Sequence, residues 1–82
     1  MSLKVYGTNW CGGTRRVLRQ LDEKEISYTY IDIDQEAEAA EMVKKLNNGN
    51  RSVPTLVFED GTKLTEPGQI ELDQKLASLL AD

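Results

Sequence analysis

Cys11 is the residue of this 82-residue chain that is best suited to do chemistry. The sequence places it between a predicted strand and a predicted helix, at or within one residue of the helix N-terminus. The unpaired N–H groups and the dipole at that end favour an anion, and such sites lower the pKa of a thiol from about 8.5 to roughly 3.5–7.5. Arg15 and Arg16 add positive charge in the next turn, unless they only form a solvated helix face. We therefore predict that Cys11 is ionised and nucleophilic.

The neighbours of Cys11 bear on whether it reacts or only packs in the core, as free cysteines often do. Gly12 and Gly13 leave the sulfur without bulky neighbours, so another sulfur atom can approach it. The Thr14 hydroxyl, one helical turn further on, could donate a hydrogen bond to the sulfur and favour its charged form, or it could simply fill the helix. Trp10 could pack in the core or form an apolar shelf beside the sulfur. We favour a reactive site over a structural cysteine.

The composition excludes several other chemistries. The chain has one cysteine and no histidine, which rules out an intrachain disulfide, a zinc site with histidine and cysteine ligands from one chain, and a catalytic Ser-His or Cys-His pair. Its 10 basic and 14 acidic residues give a net charge of −4, which argues against nucleic acid as a partner. No apolar run approaches the roughly 20 residues that span a bilayer, and the N-terminus lacks the apolar stretch of a signal peptide. We expect a cytoplasmic protein that binds no membrane and no metal.

The elements that position Cys11 follow from the hydrophobic pattern. At about 150 residues per domain, the chain is predicted to form one domain over residues 1–82. Strand and helix signals alternate in the order β-α-β-α-β-β-α. Two strands joined through a helix should pair in parallel by a right-handed crossover, and the last two strands should form an antiparallel hairpin, which makes an α/β fold with a mixed sheet. The predicted segments are strands at 3–6, 28–33, 53–58 and 62–65, and helices at 11–24, after Asp34, and from Pro67 onward.

Local signals predict the boundaries and the buried faces of these elements. Asp34 is a predicted N-cap of the second helix, and Gly49 is its predicted left-handed cap at the other end. Asp60 and Gly61 predict a two-residue hairpin turn. The residues predicted to face the core are Val17, Leu18 and Leu21 in the first helix, Ala39, Met42, Val43 and Leu46 in the second, and Leu72, Leu76, Leu79 and Leu80 in the third.

Pro54 opens the predicted third strand, where its missing N–H removes one hydrogen-bond donor from the sheet. A cis peptide bond between Val53 and Pro54 would explain this position, and a plain trans proline at a strand entry would explain it as well. With the cis bond, the backbone groups of Val53 would stay free to bind an extended peptide or thiol ligand beside Cys11. The residues alone favour the trans form.

Taken together, these segments resemble the glutaredoxins, and most closely their mycoredoxin-like branch. The likeness rests on a strand ending in Tyr-Gly-Thr-x-Trp-Cys, a helix that starts with Arg-Arg, Ser-Val-Pro-Thr before a strand, and Glu-Asp-Gly-Thr followed by Leu-Thr-x-Pro. It covers essentially the whole chain. The resemblance implies a thioredoxin-like fold, with a four-stranded mixed sheet flanked by three helices and a cis Pro54 packed against Cys11.

The resemblance also implies roles for individual residues in a thiol-disulfide oxidoreductase. Cys11 is the expected nucleophile toward disulfides, Val53 is expected to align the bound thiol or peptide as a strand, and Arg51 is expected to contact a carboxylate of the small thiol. The substrates would be mixed disulfides of proteins with a low-molecular-weight thiol such as glutathione or mycothiol, and we expect a monomer. The expected site comprises the catalytic residues Cys11 and Thr14 and the thiol-binding residues Trp10, Gly12, Arg51, Val53, Pro54 and Thr65.

The chain departs from the glutaredoxin pattern at two places. Thr14 stands where dithiol members have the second cysteine of Cys-x-x-Cys, so we expect a monothiol mechanism. Residues 64–68 replace a Gly-Cys-Asp loop that many glutathione-using members carry, and Glu66 would repel an anionic thiol. Two other functions stay open: a carrier that holds an iron–sulfur cluster between two chains, and a binding module without redox activity.

Overall fold

A computed structural model of the protein describes residues 2–80. Seven elements follow one another in the predicted order β-α-β-α-β-β-α. The strands are β1 (Leu3–Gly7), β2 (Thr29–Asp32), β3 (Thr55–Phe58) and β4 (Lys63–Thr65), and the helices are α1 (Gly12–Glu23), α2 (Ala37–Leu46) and α3 (Gln69–Leu80). None of these helices combines the length and the hydropathy needed to cross a membrane.

The four strands form one mixed sheet in the order β2-β1-β3-β4. β1 pairs in parallel with β2, as expected for two strands joined through a helix, and antiparallel with β3. β3 and β4 form the antiparallel hairpin. Tyr6 near the end of β1 lies opposite Thr55 at the start of β3. The segment that follows β1 and the segment that precedes β3 therefore meet at one end of the sheet.

Alternate residues of the sheet pack against helices on its two faces. The larger core joins α1 and α3 to one face of the sheet, and the smaller core joins α2 to the other face. This arrangement confirms the expected sheet of four strands flanked by three helices. The larger core consists of Leu3, Val5, Val17, Leu21, Leu56, Phe58, Leu72 and Leu76, and the smaller one of Tyr6, Ile33 and Val43.

The second helix begins later than the sequence predicts. α2 starts at Ala37 with Glu36 as its N-cap residue, so the prediction of Asp34 as the N-cap is wrong. The Asp32 carboxylate accepts the N–H of Asp34, and the Asp32 carbonyl accepts the N–H groups of Gln35 and Glu36. These bonds close a turn ahead of the helix, and the Asp34 side chain is used elsewhere.

Two ends of helices agree with the local signals. Cys11 is the N-cap residue of α1, within the predicted margin of one residue. Gly49, just after α2, has a φ of +91°, and its N–H donates to the Lys44 carbonyl at 2.7 Å. The prediction for Cys11 holds. That for Gly49 holds in its left-handed φ, but the C-cap residue of α2 is Asn47, and Asn48 is left-handed as well, with a φ of +55°.

Two apolar side chains that were predicted to be buried are exposed instead. Met42 is 46% exposed and Leu80 is 60% exposed. Met42 lies about 100° around the helix from Val43, which takes the core position, and Leu80 lies in the last turn of α3, beyond the core contact of Leu79. The other predicted core residues are buried or half-buried: Val17, Leu18, Leu21, Ala39, Val43, Leu46, Leu72, Leu76 and Leu79.

The β3–β4 hairpin has a three-residue loop, so the prediction of a two-residue turn is wrong. The N–H of Phe58 donates to the Thr62 carbonyl, and the N–H of Gly61 donates back to the Phe58 carbonyl, which leaves residues 59–61 as the loop. Gly61 has a φ of +86°, the left-handed value that such loops need and that glycine adopts without strain. The Asp60 carboxylate accepts both the N–H and the hydroxyl of Thr62, and these two bonds favour the longer loop.

Candidate active site

Cys11 lies at the point where the chain leaves β1 and enters α1. The Cys11 N–H donates to the Thr8 carbonyl at 3.2 Å and so closes a turn between the two elements. Cys11 then caps α1 with extended backbone angles, a φ of −79° and a ψ of 121°. The first N–H groups of a helix have no partner within it. Those of Gly13 and Thr14 favour the charged form of the half-buried sulfur, although the Cys11 side chain forms no capping hydrogen bond with the helix.

These contacts lower the pKa of the Cys11 thiol below its ordinary value. Partial burial acts in the opposite direction and raises the pKa, because it disfavours the charged form. The N–H and the hydroxyl of Thr14, followed by the N–H of Gly13, outweigh this effect because they stabilise the thiolate. The negative charge of Glu66 raises the pKa to a lesser extent. The net result is a thiol that ionises more readily than a cysteine in water.

The Thr14 side chain is fully buried against β1. A Cβ atom built on Gly7 would lie 2.5 Å from Thr14 Cγ2 and 2.6 Å from Thr14 Oγ1, so only glycine fits at that position. The Thr14 hydroxyl makes no directed hydrogen bond to any described atom, the Cys11 sulfur included, although it lowers the pKa of that thiol. We give the backbone N–H groups more weight as stabilisers of the thiolate, because the helix fixes their direction while a hydroxyl rotates.

Pro54 lies beside the sulfur. The Val53–Pro54 peptide bond is cis, as the resemblance implies and contrary to the trans form that the residues alone favour. In its protonated form the Cys11 thiol donates a hydrogen bond of 3.8 Å to the Val53 carbonyl. A Cβ atom built on Gly13 would lie 3.3 Å from Pro54 Cδ and 3.8 Å from the sulfur, so a glycine there lets α1 approach the proline closely. The same atom built on Gly12 would have no neighbour within 4 Å.

A groove of about 270 Å³ opens at the sulfur. Three of the predicted site residues line it, namely Cys11, Val53 and Pro54. Residues 66–68 also line the groove. The sequence did not assign them to the site, although residues 64–68 stood out as a departure from the glutaredoxin pattern. The complete lining consists of Cys11, Gly13, Arg16, Val53, Pro54, Glu66, Pro67 and Gly68.

Hydrogen bonds from the neighbouring elements hold the wall of the groove in place. The Arg16 guanidinium donates to the Pro67 carbonyl and to Gln20 Oε1. The Glu66 N–H donates to the Pro54 carbonyl at 2.8 Å. Glu66 has a φ of +47°, a left-handed value that is uncommon for a residue with a side chain. The backbone on both sides of the groove is thus fixed relative to the sulfur.

Trp10 and Arg51 flank the site outside the groove, and Asp34 joins them. Trp10 is 69% exposed, so it does not pack in the core. Its indole N–H donates to Asp34 Oδ2 at 2.8 Å, and the Arg51 guanidinium forms a hydrogen-bonded ion pair with Asp34 Oδ1. The bond from Arg51, followed by that from Trp10, holds the pKa of Asp34 below its usual range. Sequence reasoning missed this role of Asp34 because helix capping already accounted for the residue.

Gly12 and Thr65, two other predicted site residues, do not line the groove. Gly12 is exposed on the first turn of α1. The Thr65 hydroxyl donates to Asn47 Oδ1 at 2.6 Å, and Asn47 Nδ2 donates to Thr55 Oγ1 at 3.0 Å. Thr65 therefore links β4 to the end of α2. It directly precedes Glu66, which lines the groove.

A larger cavity of about 450 Å³ lies away from Cys11, at the first turn of α2. It contains none of the predicted site residues and no nucleophilic thiol, so we place the chemistry in the smaller groove at the sulfur. In the part of the chain that the structure describes, no three His, Cys, Asp or Glu residues come together to hold a metal ion. The cavity is lined by Tyr6, Ile31, Glu36, Ala37, Glu38, Ala39 and Met42.

Comparison with known proteins gives the same family as the motifs. The family model described as Glutaredoxin matches residues 3–62. The chain is 44% identical over 78 residues to Mycoredoxin 1 of Corynebacterium glutamicum, and the match covers 95% of this chain and 96% of that protein. It is 41% identical over 78 residues to a predicted glutaredoxin of Mycobacterium tuberculosis, and that match covers 95% of this chain and 93% of the other.

The fold also has close counterparts among solved structures. The crystal structure of the thioredoxin-like protein BC3987 superposes with a TM-score of 0.74 at 27% identity. The match covers 90% of this chain and 97% of that one. The family model matches most of this chain, and Cys11 lies beside a cis proline in the fold described above. The chain therefore belongs to the glutaredoxin family.

Proposed function

We propose that this protein is a thiol-disulfide oxidoreductase that uses Cys11 alone to reduce mixed disulfides between proteins and a small thiol. The observation that carries the proposal is the position of the Cys11 sulfur. It meets the free N–H groups of α1 on one side and an open groove beside Pro54 on the other. The first feature favours a thiolate, and the second lets a disulfide reach it.

In the first step the Cys11 thiolate attacks the small-thiol sulfur of the mixed disulfide. A disulfide bond forms between Cys11 and the small thiol as the bond to the substrate protein breaks. The electron pair of the broken bond leaves with the protein sulfur as a thiolate, which takes up a proton. The substrate protein is thereby reduced, and Cys11 is held in a mixed disulfide.

A second molecule of small thiol completes the cycle. Its thiolate attacks the small-thiol sulfur attached to Cys11, forms the small-thiol disulfide and releases the Cys11 thiolate. Thr14 occupies the position of a second cysteine, so this chain has no thiol of its own that could resolve the adduct. The net reaction turns one mixed disulfide and one free thiol into one protein thiol and one small-thiol disulfide.

The backbone of Val53 supports the alignment of a substrate beside the sulfur. Its carbonyl faces the Cys11 thiol, and its N–H donates no hydrogen bond within residues 2–80. An extended peptide or thiol can therefore pair with Val53 as an added strand. We assign further contacts with the small thiol to Trp10, Arg51, Pro54 and Thr65 and to the backbone of Gly12, which a Cβ atom would leave open, and stabilisation of the thiolate to Thr14.

The proposed partners are protein mixed disulfides and a small thiol such as glutathione or mycothiol. We propose that the protein acts as a monomer, because both exchange steps use one thiol of the protein, that of Cys11. We propose a cytoplasmic setting, since thiols are kept reduced in that compartment.

The test is reduction of a protein that carries glutathione or mycothiol in a mixed disulfide, with wild type and Cys11→Ser compared. We expect catalytic release of the small thiol by wild type and only the uncatalysed rate with Cys11→Ser, because serine forms no disulfide. Ser78→Ala, an exposed change in α3, is the control and should react like wild type. Retention of the wild-type rate by Cys11→Ser would show that the proposal is wrong.

A further inference from the structure

We propose that Asp34 is a specificity-determining residue that selects against small thiols with carboxylate groups. Its own carboxylate is paired with the Arg51 guanidinium and holds the Trp10 indole. A carboxylate of an incoming thiol that binds Arg51, the contact that we assign to this residue, must therefore compete with Asp34. The inference rests on the proposed function, because it concerns which small thiol the Cys11 site prefers.

The Asp34 carboxylate connects Trp10 and Arg51, which flank the site. One carboxylate oxygen, Oδ2, accepts the indole N–H of Trp10, which directly precedes Cys11. The other, Oδ1, accepts the guanidinium of Arg51, in the segment that leads to Pro54. The Arg51 and Asp34 side chains are 39% and 36% exposed, so a ligand from solvent can reach both.

A second carboxylate near the sulfur acts in the same direction as Asp34. Glu66 stands on the wall of the groove and disfavours the Cys11 thiolate, so it also disfavours an anionic ligand. The Arg16 guanidinium lines the groove but is held by the Pro67 carbonyl. Arg15 is exposed and does not line the groove. An anionic thiol therefore meets the carboxylates of Asp34 and Glu66. Of the two guanidinium groups near the site, Arg51 is already paired with Asp34, while Arg16 keeps its charge.

The Arg51–Asp34 pair is weak enough to be displaced. Exposed ion pairs contribute little to stability because water and salt screen them. Asp34→Asn keeps the shape of the side chain and its ability to accept from Trp10, but it removes the charge that pairs with Arg51. We expect this change to lower KM for a carboxylate-bearing substrate about three- to fivefold. The kcat should stay the same, since Asp34 does not contact the sulfur.

The experiment uses two substrates that differ in whether the small thiol carries free carboxylates: one peptide in a mixed disulfide with glutathione, and the same peptide with the diethyl ester of glutathione. Each variant is compared with wild type on the same substrate, so the added ethyl groups do not enter the comparison. Asp34→Asn should lower KM for the glutathione adduct and leave KM for the ester adduct within about twofold of wild type. Asp60→Asn is the matched control. Like Asp34→Asn, it removes an exposed carboxylate that forms an ion pair, in this case with Lys75 at 3.1 Å. Asp60 lies at the opposite end of β3 from Cys11. Asp60→Asn should change neither value.

A binding measurement tests Asp34 without turnover. Trp10 is the only tryptophan of the chain, so its fluorescence reports on this corner of the site. Titration with S-methylglutathione, which cannot form a disulfide, should show tighter binding to Asp34→Asn than to wild type, and no gain when Arg51→Ala is added. If wild type reduces neither adduct, the proposed function fails, and this titration still tests Asp34. Equal binding to wild type and Asp34→Asn, or an equal gain with both adducts, would overturn the inference.

Discussion

Gly12 and Gly13 are neighbours of the same type, and only Gly13 faces the reacting sulfur. A Cβ atom on Gly13 would crowd Pro54 at 3.3 Å and the sulfur at 3.8 Å, whereas one on Gly12 would meet nothing within 4 Å. We predict that Gly13→Ala lowers kcat/KM for a mixed disulfide about tenfold, because the methyl group narrows the approach to the sulfur. Steady-state kinetics on one substrate measure this change.

Gly12→Ala is the control for that substitution. Both changes replace a glycine in the first turn of α1, so both should gain up to about 1 kcal/mol of helix stability. Gly12→Ala should keep the wild-type kcat/KM. Equal rates for the two variants would show that the space around Gly13 does not govern access to Cys11.

At the scale of single residues, the sequence was informative where the chemistry is local. Cys11 could be placed at a helix N-terminus because strand, turn and helix signals follow one another directly there. The role of Asp34 could not be found in this way, because its partners Trp10 and Arg51 lie 24 and 17 positions away in the sequence. Only the fold brings these three side chains together.

Among the elements, Asn47 connects the end of α2 to the hairpin beside the site. Its Nδ2 donates to the Val43 carbonyl at 2.9 Å and to Thr55 Oγ1 at 3.0 Å, and its Oδ1 accepts from Thr65 Oγ1 at 2.6 Å. Asn47→Ala leaves these groups without their partner, so we predict a loss of about 2–3 kcal/mol in the free energy of unfolding. Denaturant unfolding measures the loss.

Asn50→Ala provides the comparison for Asn47. Asn50 is exposed in the same loop, so its replacement should change the free energy of unfolding by no more than about 0.5 kcal/mol. If Asn47→Ala lowered the free energy of unfolding no more than Asn50→Ala, the buried hydrogen bonds of Asn47 would not stabilise the contact of β3 and β4 with α2.

The elements themselves were largely predictable, and their ends less so. Apolar periodicity gave all seven in the correct order, because each must bury one face. The start of α2 and the length of the hairpin loop were wrong, since they depend on the side chains of Asp32 and Asp60 bonding to nearby backbone N–H groups. The buried hydrogen bonds of Asn47 could not be predicted from the sequence, because an asparagine at this position is also typical of the end of a helix.

For the molecule as a whole, the proposed cycle requires a small thiol because the chain contains one cysteine. Thr14→Cys should remove that requirement, since a second thiol next to Cys11 can expel a bound protein and close an intramolecular disulfide. We predict that the variant reduces a protein disulfide at least about tenfold faster than wild type in a single turnover without added small thiol. Rapid mixing of the prereduced proteins with an excess of the disulfide substrate measures this difference.

Thr14→Ser is the control for that substitution, because it changes the same buried position without adding a thiol. It should stay as dependent on the small thiol as wild type. If Thr14→Cys reduced the protein disulfide no faster than Thr14→Ser, a second cysteine at position 14 would not be sufficient to replace the small thiol.

The proposed chemistry depends on the ionisation of Cys11, and the rate of alkylation of wild type as a function of pH measures this ionisation. Because the chain has a single cysteine, all of the alkylation signal comes from this sulfur, and the same protein unfolded in denaturant supplies the reference. The hydrogen bonds from Thr14 and Gly13 lower the pKa of the thiol, so the folded protein should reach half-maximal reactivity at a lower pH than the unfolded one. A folded-state midpoint at or above that of the unfolded chain would show that the fold does not favour the Cys11 thiolate.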